Sequence, residues 1–155
     1  MRSLLCQVLK SSYPSFMPHP ILLYDGVCGL CNRFVQFILR RDRNAIFRFA
    51  SLQSALASRI LTRHGADPND LDTVYIVINH ELPDEYLLSR SAASLFVLNQ
   101  LGGIWRPAAF LLKLMPKSLR NAAYNTIARH RYRIFGRSDV CPMPRDQDRD
   151  RFLDL

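Results

Sequence analysis

The sequence encodes an α/β domain with its elements in the order β-α-β-α-β-β-α, followed by a helical C-terminal extension. Three features lead to this reading. Apolar runs of strand length stand at 21–24 and 73–78. Segments with helical apolar spacing separate and follow them. A polar turn containing Pro83 folds two strand-like runs into a hairpin. The 155 residues suffice for one hydrophobic core and are too few to suggest two. A hydrophobic content of 48% with 22% charged residues is ordinary for a globular chain and argues against general disorder.

Residues 1–20, with Pro14, Pro18 and Pro20, read as a loosely ordered leader. Ile21-Leu22-Leu23-Tyr24 is apolar throughout, the pattern of a buried strand. From Gly29 to Asp42, Leu30, Phe34, Phe37 and Ile38 keep helical spacing, and Val35 and Leu39 widen the apolar stripe. Ala45–Phe49 alternates as a second strand. Ser51 is placed to cap a helix carrying Leu52, Ala55, Leu56 and Ile60, which Gly65 ends. After an acidic loop at 66–72, Thr73–Ile78 is rich in β-branched residues and predicts the clearest strand, paired with Glu85–Ser89.

Ser91 is expected to cap a helix that ends at Gly102-Gly103. Pro107 suits the first turn of a further helix, which Pro116 stops. A last helix starts at Ser118, repeats Leu119, Ala122, Ala123 and Ile127 on one side, and closes at Gly136. The expected division is leader 1–20, core 21–104, helical extension 105–145 packed on the core, and polar tail 146–155. A helix joining the first two strands makes them parallel through a right-handed crossover, whereas the later pair forms an antiparallel hairpin. That layout is thioredoxin-like.

Net charge is +8, unevenly spread. Residues 64–85 carry only acids, and 86–138 only basic residues. Such a block can attract nucleic acid, anionic lipid or an acidic partner, or it can be a solvated helical face. Tyr124 and Tyr132 lie among the arginines without any nucleic-acid fold signature, so no specific nucleic acid is expected. The leader makes a poor signal peptide and no run is long and apolar enough to span a membrane, so a soluble cytoplasmic protein is expected.

The chemistry concentrates in Asp25-Gly26-Val27-Cys28-Gly29-Leu30-Cys31, where the first strand meets the first helix. A thiol at a helix N-terminus lies beside unpaired N–H groups and the positive end of the helix dipole, which favour thiolate. Cys28 is therefore the candidate nucleophile. Gly26 and Gly29 are expected to leave it accessible, and the chemistry requires it ionised, facing Cys31 and reachable. Cys31, a turn further in, is the candidate resolving thiol; deeper burial should raise its pKa, so it needs a base. Asp25 is the candidate base, or else simply holds the Asp-Gly turn. No organic cofactor is needed, because the electrons reside in the cysteine pair.

Cys141 is open to three readings: a third redox thiol, a third metal ligand, or a packed structural cysteine. Cys6 lies in the leader. Zinc needs four ligands and this pair supplies two; His19, His64, His80 and His130 are scattered. Arg90, Arg129, Arg131, Arg133 and Arg137 are candidates for the rim of the site, with Arg90 and Arg133 foremost, or pair with the acidic segment. Two other classes compete with a redox enzyme. One is a non-catalytic module binding through the basic helices 107–137, and the other is a structural zinc protein.

Asp25-x-x-Cys28-x-x-Cys31 resembles the signature of the DCC family, named for that pattern and regarded as thiol–disulfide oxidoreductases. Phe49-Ala50-Ser51-Leu52-Gln53-Ser54, Ser89-Arg90-Ser91-Ala92-Ala93 and Arg129–Arg137 followed by Cys141 are similar to further family segments. The resemblance implies a thioredoxin-like fold and exchange with a disulfide-containing protein or a small thiol such as glutathione, with an external reductant restoring the dithiol. Thioredoxin-like enzymes place a proline just before the third strand; here that stretch is Leu71-Asp72-Thr73-Val74.

Overall fold

Strand β1 (Ile21–Tyr24) is buried at all four positions, as a central strand covered on both faces must be. In the computed structural model, which describes residues 18–137 and 144–154, it lies between β2 (Arg48–Ser51) and β3 (Tyr75–Ile78). β4 (Tyr86–Ser89) completes the order β2-β1-β3-β4. β1 and β2 run parallel, while β3 is antiparallel to both β1 and β4. The crossover and the hairpin are as the sequence predicts, and the mixed sheet with its flanking helices is thioredoxin-like.

The two-residue period of β1 builds two cores. Leu22 and Tyr24 join Phe49, Ile76, Val35, Ile38 and Val97 under helices α1 (Gly29–Arg41) and α3 (Arg90–Leu101). Ile21 and Leu23 face the other way with Ala50 and Val77, covered by Ile60 and Leu61 of α2 (Ala55–Arg63). Burying each such side chain contributes about 1.5–3 kcal/mol, which makes this strand the anchor of the fold. Helix α4 (Trp105–Leu114) packs its Trp105 edge-on against Phe37 of α1, with ring centroids 4.8 Å apart. Helix α5 (Lys117–Phe135) returns across α3 to the N-terminal end of α1.

Several boundaries differ from the sequence reading. β2 starts at Arg48 rather than Ala45, because the Asp42 carboxylate accepts the N–H groups of Ile46 and Phe47 and holds them in a loop. Ser51 ends β2 instead of capping α2; Ser54 is the cap, accepting from the Ala57 N–H at 3.1 Å. Ser91 lies inside the first turn of α3, where its hydroxyl joins Arg120 and Asn121 of α5 and ties the two helices together.

Residues 144–154 are not a free tail. A 3₁₀ turn (Asp146–Arg151) leads the chain along the β2 edge, where the Leu153 N–H donates to the Phe49 carbonyl at 2.9 Å. Phe152 stacks on Phe49, and buried Arg151 pairs with buried Asp42. Among the described residues no helix is long and apolar enough to cross a membrane. Residues 1–17, including Cys6, and 138–143, including Cys141, lie outside the described residues.

Candidate functional site

Cys28 is the N-cap residue of α1 and Cys31 lies in its first turn, so the Cys28 sulfur meets the otherwise unpaired N–H groups of Leu30 and Cys31 at that helix end. The two side chains face each other. The Cys31 thiol donates to the Cys28 sulfur, and this bond lowers the Cys28 pKa more than any other contact. Burial opposes it; the Cys31 N–H, the Arg131 charge and the Leu30 N–H add to the lowering and bring Cys28 to about 6. Cys31 is pushed upward as the donor of that hydrogen bond, then by burial and by the Cys28 charge. The pair thus has one acidic and one protonated member, as exchange chemistry requires.

The expected accessibility of Cys28 is not met. Its residue exposure is 0%, and that of Cys31 is 5%. The cause is the C-terminal end of α5, which crosses directly over the start of α1. The Gly29 N–H donates to the Gly136 carbonyl at 3.2 Å, and Cys28 forms an antiparallel bridge with Arg137. Gly29 therefore serves close approach rather than access: a Cβ there would come 2.3 Å from the Phe135 carbonyl oxygen. Gly136, at φ +76°, ends α5 and turns the chain onto the dithiol.

Asp25 is fully buried, and four donors fill its carboxylate. Oδ1 accepts from the Val27 N–H at 3.1 Å and Gln53 Nε2 at 2.8 Å; Oδ2 accepts from Arg131 Nη2 at 3.1 Å and the Tyr132 hydroxyl. The Asp25 main-chain N–H reaches the Cys31 sulfur, so the carboxylate lies within one residue of the resolving thiol. Burial and the bond to Asp25 push Tyr132 up to about 12. Arg131 is 2% exposed and also meets Asp72 at 3.1 Å. It lies within electrostatic range of both cysteines; burial lowers its pKa, but the bond to Tyr132 and the charges of the dithiol and Tyr132 outweigh that and raise it.

Arg131 is one of five rim candidates in the sequence, and the structure buries it against Asp25 within reach of the dithiol charge. The two foremost rim candidates, Arg90 and Arg133, are placed elsewhere. Arg133 is exposed on α5 without a partner among the described residues, and exposed Arg90 opens onto a separate cavity of about 190 Å³ with Asp70, Thr73 and Arg129. Arg137 covers Cys28 through its main chain and lies over the Tyr132 ring. His64 and His80 bind Glu85, while His19 and His130 contact main-chain carbonyls. Among the described residues, no group of three or more metal-ligating side chains forms.

A thioredoxin-like sheet that delivers an acidic, helix-capping cysteine and its protonated partner defines a dithiol protein of the thiol–disulfide class. The DCC1-like thiol-disulfide oxidoreductase family model matches residues 22–137, and the chain belongs to that family. Bacillus subtilis YuxK is 35% identical over 137 residues, covering 88% of this chain and 96% of its own length. A chloroplastic DCC family protein of Arabidopsis thaliana is 38% identical over 124 residues, covering 80% and 69%. No solved structure matches the chain.

Proposed function

We propose that this protein exchanges disulfides through Cys28 and Cys31. The Cys28 thiolate attacks one sulfur of a substrate disulfide; the other sulfur leaves as a thiolate and takes up a proton. Cys31 then loses its proton and attacks the Cys28 sulfur of the mixed disulfide. The second substrate thiol departs and a Cys28–Cys31 disulfide closes, to be reduced again by an external dithiol. Asp25 accepts the Cys31 proton, for which it must release one of its four donors, while Arg131 compensates the charge on the pair. The substrate is a protein disulfide or a small disulfide.

The observation that carries this reading is the hydrogen-bonded Cys28 sulfur at the α1 N-terminus, with its pKa lowered to about 6. Access requires the 136–137 segment to lift. Among the described residues, the Gly29–Gly136 hydrogen bond and the Cys28–Arg137 bridge are what hold it to the dithiol backbone. At about 0.5–1.5 kcal/mol net for each main-chain bond, such an opening is a low-energy local fluctuation.

The test is equilibration of the protein in graded mixtures of reduced and oxidised dithiothreitol. The pair should convert reversibly to a disulfide, read as the loss of two hydrogen masses and of two alkylatable thiols. Cys28→Ser should abolish exchange, and Cys31→Ser should trap a mixed disulfide on Cys28. A folded protein whose two thiols persist through the whole range would sink the assignment.

A further inference from the structure

Beside the dithiol, α1, α3 and α5 line an open-sided cavity of about 260 Å³ whose wall includes Leu30, Phe34, Val74, Ile127 and Ala128, with Cys31 at one side. It is larger than the roughly 150 Å³ apolar hollow that holds a benzene, yet below the roughly 300 Å³ at which drug-sized sites begin. Its occupant is therefore compact and largely apolar, with reach to a sulfur of the redox pair.

Four polar residues complete the wall: Ser94, Tyr124, Arg131 and Asp72, whose carboxylate already pairs with Arg131. The Tyr124 oxygen accepts from the Val74 N–H at 2.9 Å, an N–H that a proline near this point would lack, and among the described residues its own hydrogen meets no acceptor. Every hydrogen bond and ion pair of Arg131 leaves from Nη2. Its Nε–H is, among the described residues, the buried side-chain polar group with no partner. Unused donors at an apolar cavity call for an acceptor oxygen.

Charge decides which kind. Asp25 and Asp72 each lie 3.1 Å from Arg131 Nη2, so the guanidinium charge is already matched. An incoming carboxylate would meet two others and lose its hydration, whereas an amide or ketone oxygen would use the free donors at no such cost.

We infer that this cavity seats the substrate: a small, neutral, apolar disulfide bearing a carbonyl oxygen, with its sulfurs at the Cys31 side, next to the hydrogen-bonded Cys28 sulfur that attacks, and the oxygen on Tyr124 and Arg131. The inference rests on the thiol–disulfide reading above and narrows it. The ligand S–S bond breaks and the Cys28–Cys31 S–S bond forms. Two electrons and two protons pass to the ligand, which leaves as a dithiol.

Lipoamide, a compact cyclic disulfide on an alkyl amide, is the probe, set against lipoate and oxidised glutathione. The wild type should reduce lipoamide with kcat/KM about tenfold or more above either competitor. Ala128→Leu, which fills the cavity, and Ile127→Glu, on its exposed lip, should each raise the lipoamide KM about tenfold while leaving the dithiothreitol equilibrium unchanged. The redox-inactive Cys28→Ser/Cys31→Ser protein should still bind lipoamide calorimetrically, and Ala128→Leu in that background should remove the binding. Should Ala128→Leu fail to fold, Ile127→Glu reads the same effect. A pair that cycles with dithiothreitol but shows no preference for lipoamide, or variants that leave its KM unmoved, overturn the cavity assignment and leave the exchange chemistry standing. A pair that never forms a disulfide overturns both.

Discussion

Cys28 is acidified chiefly by the Cys31 thiol and the Cys31 N–H, with the Arg131 charge and the Leu30 N–H adding to them. None of these belongs to the 136–137 cover, so the thiolate character survives when the cover lifts. The rate of Cys28 alkylation should therefore rise with pH through about 6 and level off above it. The sign follows from the depressed pKa: thiolate predominates above it and is lost as pH falls through it. Cys31→Ala removes the largest favourable contact and should move the midpoint up toward the ordinary value of about 8.5. A wild-type profile that climbs only through that ordinary value would refute the thiolate geometry. Cys28, Cys31 and Asp25 are legible in seven consecutive residues, because a strand end and a helix start are local features. Arg131 is only partly legible: the sequence names it among five candidate arginines, but which of them is buried at the site depends on where α5 comes to rest.

Helix ends meet at the site, and glycine lets them. The start of α1 and the end of α5 touch main chain to main chain at Gly29, where a side chain would collide with the Phe135 carbonyl. Overpacking of this kind costs about 1–3 kcal/mol and is relieved here by displacing the 136–137 segment. Gly29→Ala should accordingly lower the thermal midpoint and raise the Cys28 alkylation rate at fixed pH on the order of tenfold, the effect of losing one or two main-chain contacts. An unchanged or slower rate would show that this segment is not what shields the thiol. The existence and type of the elements are legible from apolar periodicity, yet their ends are not. β2 begins late because Asp42 captures two N–H groups, and α2 begins at Ser54 because β2 continues to Ser51. Each boundary is settled by a competing hydrogen bond rather than by propensity.

At the scale of the molecule, two long-range ion pairs close the fold. Arg131 brings the end of α5 onto Asp25, and Arg151 brings the 144–154 segment onto Asp42 beside β2. Both are buried, so removing one partner leaves an uncompensated charge, which costs about 3–5 kcal/mol. Arg151→Ala should lower the urea-unfolding free energy by about that amount, and Arg151→Ala with Asp42→Asn should recover part of it. A loss within 0.5 kcal/mol of zero would mean that the segment does not hold the β2 edge. The opposite charges of 64–85 and 86–138 meet in the Arg131–Asp72 pair, although most of the basic residues face solvent. Helix α4 and its surroundings leave Phe110, Leu111, Leu114 and Leu119 exposed.

By itself the sequence determined the thioredoxin-like order of elements, the parallel crossover, the hairpin and the place of the dithiol at a helix mouth. These follow from periodicity and from motifs whose parts are near neighbours along the chain. Tertiary structure alone decided that Cys28 is covered, that Arg131 and Tyr132 hold Asp25, and that a cavity lies against Cys31. Arg131 and Asp25 are 106 positions apart, and such meetings depend on the summed packing of every helix between them, which no local pattern encodes.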